Sequence, residues 1–241
     1  MSKTLFISDL HLDTHRPTIV QLAAAFLRDR VTRSDALYIL GDLFEYWIGD
    51  DQPTPGLEPV LEALLTVKQA GVPVFLITGN RDFLLGDSFC HHHGMTRLSD
   101  SAIIDLYGQP TLIMHGDTLC TDDIQYQQLR VMLRDPAWQQ QFLALPLPER
   151  IKQALALRKQ SESETGDKDE RIMDVNTDTV AAAMRQHGVT RLIHGHTHRP
   201  AMHDFQLDGQ SAQRIVLGDW YQSGSVLSCD DSGCHLERID G

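Results

Sequence analysis

The sequence has no long hydrophobic run. No stretch of its 241 residues reaches the roughly 18 uncharged apolar residues that a membrane-spanning helix needs. The first residues, MSKTLFISDLHL, carry one lysine, a short apolar run and an early aspartate, which is typical of a β-strand and not of a signal peptide. We therefore expect a protein that stays where it is made, with one large α/β domain that has room for an insertion.

Cysteines are few, and no two of them form a CxxC pair. Without an export signal, the four cysteines (Cys90, Cys120, Cys229 and Cys234) are expected to be free thiols. Cys229 and Cys234 flank Asp-Asp-Ser-Gly, a sequence that predicts a hairpin turn and hardly favours a metal site.

Positive charge is also scarce. The chain has 21 Lys and Arg against 33 Asp and Glu, a formal net charge of −12, which argues against general binding to nucleic acid. A phosphate substrate remains open, because bound divalent cations reverse the charge of a local site.

The chain is rich in short apolar runs that end in polar residues. Runs of this length with many Ile, Leu and Val residues predict strands that are buried on both faces. Segments with helical apolar spacing lie between several of them, so we expect a sheet with helices on its faces, and a ligand site at the carboxyl ends of the strands. The runs are 4–7, 36–40, 74–77, 111–114, 191–193 and 214–217, and the helical segments are 19–30, 60–70 and 179–187.

Three helix termini are marked by their own residues. Gly71 is expected to end the second helical segment, and Gly188 the third. Asn176 or Thr177 is the predicted N-cap of that third segment.

Potential metal ligands follow these strands within a few residues. A single Asp or His at such a place is usually structural, but Asp-x-His and His-x-His each direct two side chains to one side of an extended segment. A mixed set of imidazole, carboxylate and amide ligands suits Mn²⁺, Fe²⁺ or Zn²⁺, and seven ligands are too many for one four-coordinate zinc. Two ions can clamp the oxygens of an in-line displacement at phosphorus. The seven candidates are Asp9, His11, Asp42, Asn80, His115, His196 and His198.

The motifs DLH, GDLFEYW, GNRDF, MHGD and GHTH, in this order, resemble the calcineurin-like metallophosphoesterases over residues 4 to about 220. The resemblance implies a four-layer α/β/β/α sandwich that binds two metal ions. Matched motif by motif, it assigns Asp9, His11 and His198 to one ion, assigns Asn80, His115 and His196 to the other, and makes Asp42 the bridge between them.

Arg81 stands where many members of this family have histidine, in GNH. That histidine commonly protonates the leaving group, which an arginine cannot do near neutral pH. The planar guanidinium suits phosphate oxygens, so Arg81 and His196 are expected to stabilise phosphoryl charge. UMP is a good leaving group, so cleavage of a diphosphate depends less on a proton donor than cleavage of an alkyl ester does.

Longer strings such as ALYILGDLFEYWIGDD and LIHGHTHRPA resemble the branch of the family that acts on UDP-2,3-diacylglucosamine in lipid A biosynthesis. This implies water attack at the α-phosphorus, release of UMP and 2,3-diacylglucosamine 1-phosphate, two Mn²⁺ ions, and peripheral attachment to the cytoplasmic face of the bacterial inner membrane. Without the resemblance, SESETGDKDE indicates only a polar surface, and Gly166 and Asp167 disfavour a helix there. The implied substrate-binding residues are Asn80, Arg81, Asp122, Ser161, Thr165, Lys168 and His196.

Residues 122–175 form the expected helical insertion. Within it, residues 129–159 mix apolar side chains with six basic ones and only two acidic ones. One interpretation is a cap over the metal site, with apolar walls for two acyl chains and a basic surface for lipid headgroups. The other is a helical subdomain with a core of its own. The basic residues are Arg130, Arg134, Arg150, Lys152, Arg158 and Lys159.

The remaining histidines are not expected to bind metal, and other functions are less favoured by the sequence. His91, His92 and His93 are expected at the surface, and His194 is expected to support the site without binding metal. A different nucleotide, nucleotide-sugar or nucleic-acid end is the alternative substrate, and a binding module without activity is disfavoured because all seven candidate ligands are present. No nucleic acid and no obligate protein partner is expected.

Overall fold

The structure is a computed structural model that describes residues 3–165 and 174–240, with the side chains of 158–165 left out. Its strands are β1 (Thr4–Ile7), β2 (Ala36–Leu40), β3 (Val74–Ile77), β4 (Met95–Arg97), β5 (Ser101–Leu106), β6 (Gln109–Met114), β7 (Arg191–His194), β8 (Ala201–Leu207), β9 (Gln210–Val216), β10 (Gly224–Asp230) and β11 (Gly233–Ile239). Its α-helices are α1 (Pro17–Asp29), α2 (Glu58–Gln69), α3 (Asp87–His92), α4 (Ile124–Leu133), α5 (Pro136–Leu143), α6 (Leu147–Thr165) and α7 (Thr177–His187). None of the helices in these described ranges is long and apolar enough to cross a membrane.

The strands form two sheets. One has the order β11-β10-β1-β2-β3-β4, and the other has the order β5-β6-β7-β9-β8. β1, β2 and β3 pair in parallel, as do β6, β7 and β9, so the carboxyl ends of the central strands of each sheet lie at one edge. β5, β8, β10 and β11 pair antiparallel with their neighbours.

Three apolar clusters lie between four layers of structure. The first packs α1 and α2 against β1, β2 and β3, and the second lies between the two sheets. The third packs α7 against β6, β7 and β9. This is the α/β/β/α sandwich that the sequence predicts.

The predicted elements and caps agree closely with the structure. β1, β2 and β3 have the predicted bounds because both of their faces are covered, whereas β9 begins earlier than its apolar run, at Gln210. The side chain of Asn176 accepts hydrogen bonds from the amides of Asp178 and Thr179 and is the N-cap of α7. Gly188 follows α7 in a left-handed conformation, with φ of 64°.

The prediction of free thiols is correct for two cysteines and wrong for the other two. Cys90 and Cys120 are free and buried. Cys229 and Cys234 form a disulfide, because they are directly paired across the β10–β11 hairpin with Cα atoms 4.1 Å apart.

The surface prediction for three consecutive histidines is also partly wrong. His91 and His92 are exposed at the end of α3. His93 is buried, with its ring packed against the ring of Phe89 one helical turn earlier and its Nδ1 3.0 Å from the carbonyl oxygen of that residue.

The helices α4, α5 and α6 have no separate core among the described residues. The side chain of Phe142 on α5 is part of the first apolar cluster, and Trp138, Leu145 and Ala154 pack against it. The apolar faces of α5 and α6 are therefore continuous with the sandwich.

Candidate metal centre and adjoining cavity

The candidate ligands gather where the central strands of both sheets end, and their backbones are unusual. Among the described residues, seven that are not glycine have a positive φ, and five of these are Asp9, His11, Asp42, His196 and His198. L-residues rarely adopt this conformation, and it clusters at functional sites where the surrounding structure holds it.

One group of candidate ligands consists of Asp9, His11 and His198. Nε2 of His198 lies 3.4 Å from Oδ1 of Asp9 and 3.3 Å from Nε2 of His11. Oδ2 of Asp9 accepts hydrogen bonds from Ser8 and from the amide of His196. Burial alone would raise the pKa of Asp9, but the hydrogen bond and charge of His198, the charge of His115 and the bond from Ser8 outweigh it and hold the pKa well below its ordinary value.

The second group consists of Asp9, Asp42 and His115. Oδ2 of Asp42 lies 3.8 Å from Nε2 of His115 and 3.8 Å from Nε2 of His11, so this carboxylate stands between the two groups. Asp9 belongs to both groups as well. The geometry therefore offers two carboxylates that could be shared between ions.

Asn80 and His196 lie beside this second group. Oδ1 of Asn80 is 2.9 Å from Nε2 of His115, and the rings of His115 and His196 meet edge to face with centroids 5.0 Å apart. Burial and the charge of His115 lower the pKa of His196 to about 4, which keeps the imidazole neutral and able to bind a cation.

The atoms facing one another fit a cation. Nδ1 of His115 lies 2.8 Å from the carbonyl oxygen of Leu40, which can only accept, so Nδ1 donates there and Nε2 is the ring atom left to face the site, 2.9 Å from the amide oxygen of Asn80. A cation bound here would take the place of the proton on Nε2. Oδ1 of Asp9 is buried and, apart from its contact with Nε2 of His198, has no hydrogen-bond partner, which is also suited to an ion.

Asp82 and Gly79 hold two ligand loops together. The fully buried carboxylate of Asp82 accepts hydrogen bonds from the amides of Gly79, at 2.7 Å, and Leu43, at 2.8 Å. Burial and the nearby charge of Asp42 raise the pKa of Asp82 to about 6. A Cβ at position 79 would overlap the carboxylate and amide of Asp42, so only glycine allows the loops to come this close.

A cavity of about 660 Å³ opens beside the metal groups. Its polar end is lined by Asn80, Arg81, Glu45 and Tyr221, and the Arg81 amide donates to Oδ1 of Asp42. Most of the other lining side chains are apolar, and many of these belong to α4, α5 and α6: Trp47, Ile48, Phe83, Leu84, Leu129, Leu133, Trp138, Phe142, Ile151, Ala154, Leu155 and Leu157.

Three arginines of the insertion point into the protein, contrary to the expected basic outer surface. Arg130 and Arg134 bind acidic and carbonyl groups of the sandwich, and Arg150 pairs with Asp51 and the carbonyl oxygen of Ile48. Their charges anchor the helices, so they are not available to lipid headgroups. Lys152 is exposed, and the side chains of Arg158 and Lys159 lie outside the described residues.

Of the remaining predicted substrate residues, Asp122 alone has a side chain that the structure describes. Asp122 is exposed and accepts hydrogen bonds from Asn176, at 3.0 and 3.2 Å. The side chains of Ser161 and Thr165, in the last part of α6, and the whole of Lys168 lie outside the described residues. Their assignment remains a prediction.

His194 is buried and faces away from the metal groups. Nδ1 lies 2.8 Å from the carbonyl oxygen of Gly195, and Nε2 lies 3.2 Å from Nη1 of Arg214. Burial lowers its pKa to about 3, so the ring is neutral and acts as a support for the Gly-His-Thr-His loop.

The sequence-based prediction missed two groups beside the ligands. Oε2 of Glu45 lies 3.1 Å from Nδ1 of His11, and Oδ2 of Asp117 accepts a 2.9 Å hydrogen bond from the hydroxyl of Tyr126. Burial would raise the pKa of Asp117, but the charges of His115 and Arg130 outweigh it and lower the pKa. Their places in GDLFE and MHGD were the only signal, since nothing in the sequence says which acidic residue of a motif faces the ligand.

Comparison with known proteins shows the family of the chain. A family model described as calcineurin-like phosphoesterase matches residues 2–200, and the chain belongs to that family. Within it, the chain is 53% identical to a UDP-2,3-diacylglucosamine hydrolase of Stenotrophomonas maltophilia, over 98% of each chain. It is also 53% identical to the protein of that name from Xanthomonas campestris, again over 98% of each chain.

A solved structure supports the fold alone. An archaeal phosphodiesterase, 11% identical in sequence, superposes with a TM-score of 0.51 and covers 98% of this chain and 99% of its own.

Proposed function

We propose that this protein hydrolyses UDP-2,3-diacylglucosamine at its diphosphate, by attack of water on the α-phosphorus, and releases UMP and 2,3-diacylglucosamine 1-phosphate. The observation that supports the proposal is that a group of potential metal ligands and an apolar cavity lie side by side. A cluster of carboxylates and imidazoles lies beside a large, mainly apolar cavity, because Asn80 and Glu45 line the cavity and also contact His115 and His11 of the cluster. A nucleotide diphosphate attached to acyl chains has these same two parts.

The residues around Asp42 would hold two divalent ions. Asp9, His11 and His198 face one position, and Asn80, His115 and His196 face the other, with Asp42 between them. We propose Mn²⁺, because imidazole, carboxylate and amide ligands together suit it. When bound, such ions activate water as a nucleophile and neutralise the charge of the phosphoryl oxygens.

Arg81 would bind the diphosphate. Its side chain lines the cavity beside Asn80, and its amide is held by Asp42, so the guanidinium is directed from a fixed backbone. A guanidinium stabilises the charge that develops on phosphoryl oxygens and delivers no proton. The neutral ring of His196 would assist at the same phosphoryl group, beside the ring of Tyr126 on α4, with the two ring centroids 5.9 Å apart.

The apolar part of the cavity would receive the acyl chains. Each buried CH₂ group stabilises the complex by about 0.8 kcal/mol. A volume of about 660 Å³ lies in the range usual for ligand sites. The two acyl chains therefore supply most of the affinity, and the metal groups supply the chemistry.

Release of UMP tests the proposal. The purified, Mn²⁺-loaded protein should hydrolyse UDP-2,3-diacylglucosamine much faster than UDP-N-acetylglucosamine, which lacks the long chains. Equal rates would overturn the lipid assignment and favour the alternative, a dimetal phosphodiesterase for another nucleotide or nucleotide-sugar. No UMP from either substrate would overturn both.

We also propose that the insertion attaches the protein peripherally to the cytoplasmic face of the inner membrane. The support is an exposed apolar surface on α4, where Ile124 is 66% exposed and Val131 73% exposed. Val131→Glu should reduce sedimentation with phosphatidylglycerol vesicles, whereas Gln125→Glu, on a neighbouring exposed position, should reduce it less. Unchanged sedimentation of Val131→Glu would exclude this surface.

A further inference from the structure

One face of α4 joins the apolar cavity to the metal-site loops. Tyr126, Leu129, Arg130, Leu133 and Arg134 recur at the spacing of one helical face, and all five line the cavity. Arg134 is the residue that caps the end of the helix. The same helical face is therefore both a wall for a ligand and a source of polar contacts.

Arg134 binds the backbone directly before Asn80 and Arg81. Its Nη2 donates to the carbonyl oxygen of Gly79, at 2.9 Å, and its Nη1 donates to the hydroxyl of Thr78, at 3.1 Å. The same Nη1 lies 3.1 Å from Oδ1 of Asp100. The guanidinium therefore holds the end of β3, where the chain turns into the phosphate site.

Arg130 makes the matching contact with the second sheet. Its Nε donates to Oδ2 of Asp117, at 2.7 Å, two residues after His115. Its Nη2 donates to Oδ2 of Asp100, at 2.6 Å, so that one carboxylate holds both arginines. The hydroxyl of Tyr126 donates to Asp117 from the same helical face.

Leu129 and Leu133 lie between Tyr126 and Arg134 on the wall that an acyl chain would touch. The planar guanidinium of Arg134 connects the end of this wall to Gly79, and it is fixed there by its contacts with Thr78 and Asp100.

We propose that Arg134, held by the Asp100 carboxylate that also binds Arg130, is a positioning residue that couples acyl-chain binding to the placement of Asn80 and Arg81. A chain packed against Leu129 and Leu133 fixes α4, and α4 then fixes the segment that carries the phosphate-binding groups. Acyl chains thereby raise the rate of hydrolysis as well as the affinity. This inference rests on the proposed function.

The test compares Arg134→Lys with Asp100→Asn on both substrates. Lysine keeps the charge but cannot bridge Gly79 and Asp100. For UDP-2,3-diacylglucosamine, kcat should fall roughly 10- to 100-fold in Arg134→Lys while KM changes less than about threefold, as expected for a lost supporting contact. The slow hydrolysis of UDP-N-acetylglucosamine should change little. The ratio of kcat for UDP-2,3-diacylglucosamine to kcat for UDP-N-acetylglucosamine should therefore fall.

Asp100→Asn should act in the same direction, more weakly. The double variant should be no worse than Arg134→Lys alone, because residues of one network do not act additively. Arg185→Lys and Asp208→Asn are matched controls, since this pair joins α7 to the β8–β9 turn and touches neither the cavity nor the metal groups. Both controls should keep the wild-type rates.

Hydrogen exchange supplies a readout that does not depend on turnover. Adding 2,3-diacylglucosamine 1-phosphate should slow exchange at residues 79–82 in the wild type, and should slow it at α4 alone in Arg134→Lys. An equal loss of kcat on both substrates, or slowed exchange at residues 79–82 in Arg134→Lys, would overturn the coupling. A wild type without UMP release would instead overturn the proposed function, and the inference with it.

Discussion

At the scale of single residues, Asp42 is the most constrained of the candidate ligands. Its φ is 53°, its Oδ1 accepts from the Arg81 amide, and its Oδ2 lies 3.8 Å from two imidazoles. Asn fits this left-handed conformation and the same volume, so Asp42→Asn changes charge with little change of shape. We expect Mn²⁺ affinity and the rate of UMP release each to fall on the order of 100-fold or more.

Isothermal titration with Mn²⁺ and a UMP-release assay measure both effects of Asp42→Asn. Asp204→Asn, on the exposed face of β8, is the control and should leave both unchanged. Wild-type Mn²⁺ affinity in Asp42→Asn would contradict a bridging role for this carboxylate.

A variant of Arg81 can test catalysis separately from metal binding. Only its backbone amide touches Asp42, whereas its side chain lines the cavity. Arg81→Ala should therefore keep the wild-type affinity for Mn²⁺ and lose roughly 100- to 1,000-fold in kcat, as for the removal of one charge-stabilising donor. A large loss of Mn²⁺ affinity would mean that the side chain supports the ions, and an unchanged kcat would exclude it from the phosphoryl group.

The sequence alone predicted which side chains would lie close together, but not which charged side chains would point into the protein. The seven candidate ligands were recognisable because each follows a strand within a short motif. The inward direction of Arg130 and Arg134 could not be predicted. A helix of basic and apolar residues has the same sequence pattern whether its arginines contact lipid or buried carboxylates. Asp100, which binds both, lies far from them in the sequence and outside every motif.

At the scale of elements, strands that are nearly continuous apolar runs were predictable and strands of mixed polarity were not. β1, β2 and β3 are nearly continuous apolar runs, whereas β10 and β11 mix polar and apolar residues in an antiparallel hairpin. The disulfide was missed for the same reason. The pairing of Cys229 with Cys234 depends on the register of that hairpin.

Loss of the disulfide should weaken folding without affecting the metal groups. Reduction, or the double variant Cys229→Ser with Cys234→Ser, should lower the free energy of unfolding by roughly 2 kcal/mol, the loop-closure value for so short a loop. Urea titration with and without reductant measures it, and the rate of UMP release should not change. Alkylation of all four cysteines in denatured, unreduced protein would show that the bridge does not form.

At the scale of the whole molecule, the candidate ligands come from both sheets. Asp9, His11, Asp42 and Asn80 follow strands of the first sheet, and His115, His196 and His198 follow strands of the second. Ions held by both sets would join the two halves of the sandwich, which otherwise meet through the apolar cluster between the sheets. Metal binding should therefore contribute to global stability.

Thermal unfolding should depend on the concentration of Mn²⁺. An ion that binds the folded chain alone stabilises it by about 2.7 kcal/mol at 100 times its Kd. For a chain of this size, that raises Tm by roughly 5–10 °C over the protein in EDTA. Calorimetry over a series of Mn²⁺ concentrations measures the shift. Asp42→Asn should show a much smaller shift than Asp204→Asn, and a Tm that does not respond to Mn²⁺ in the wild type would contradict a metal centre shared by the two sheets.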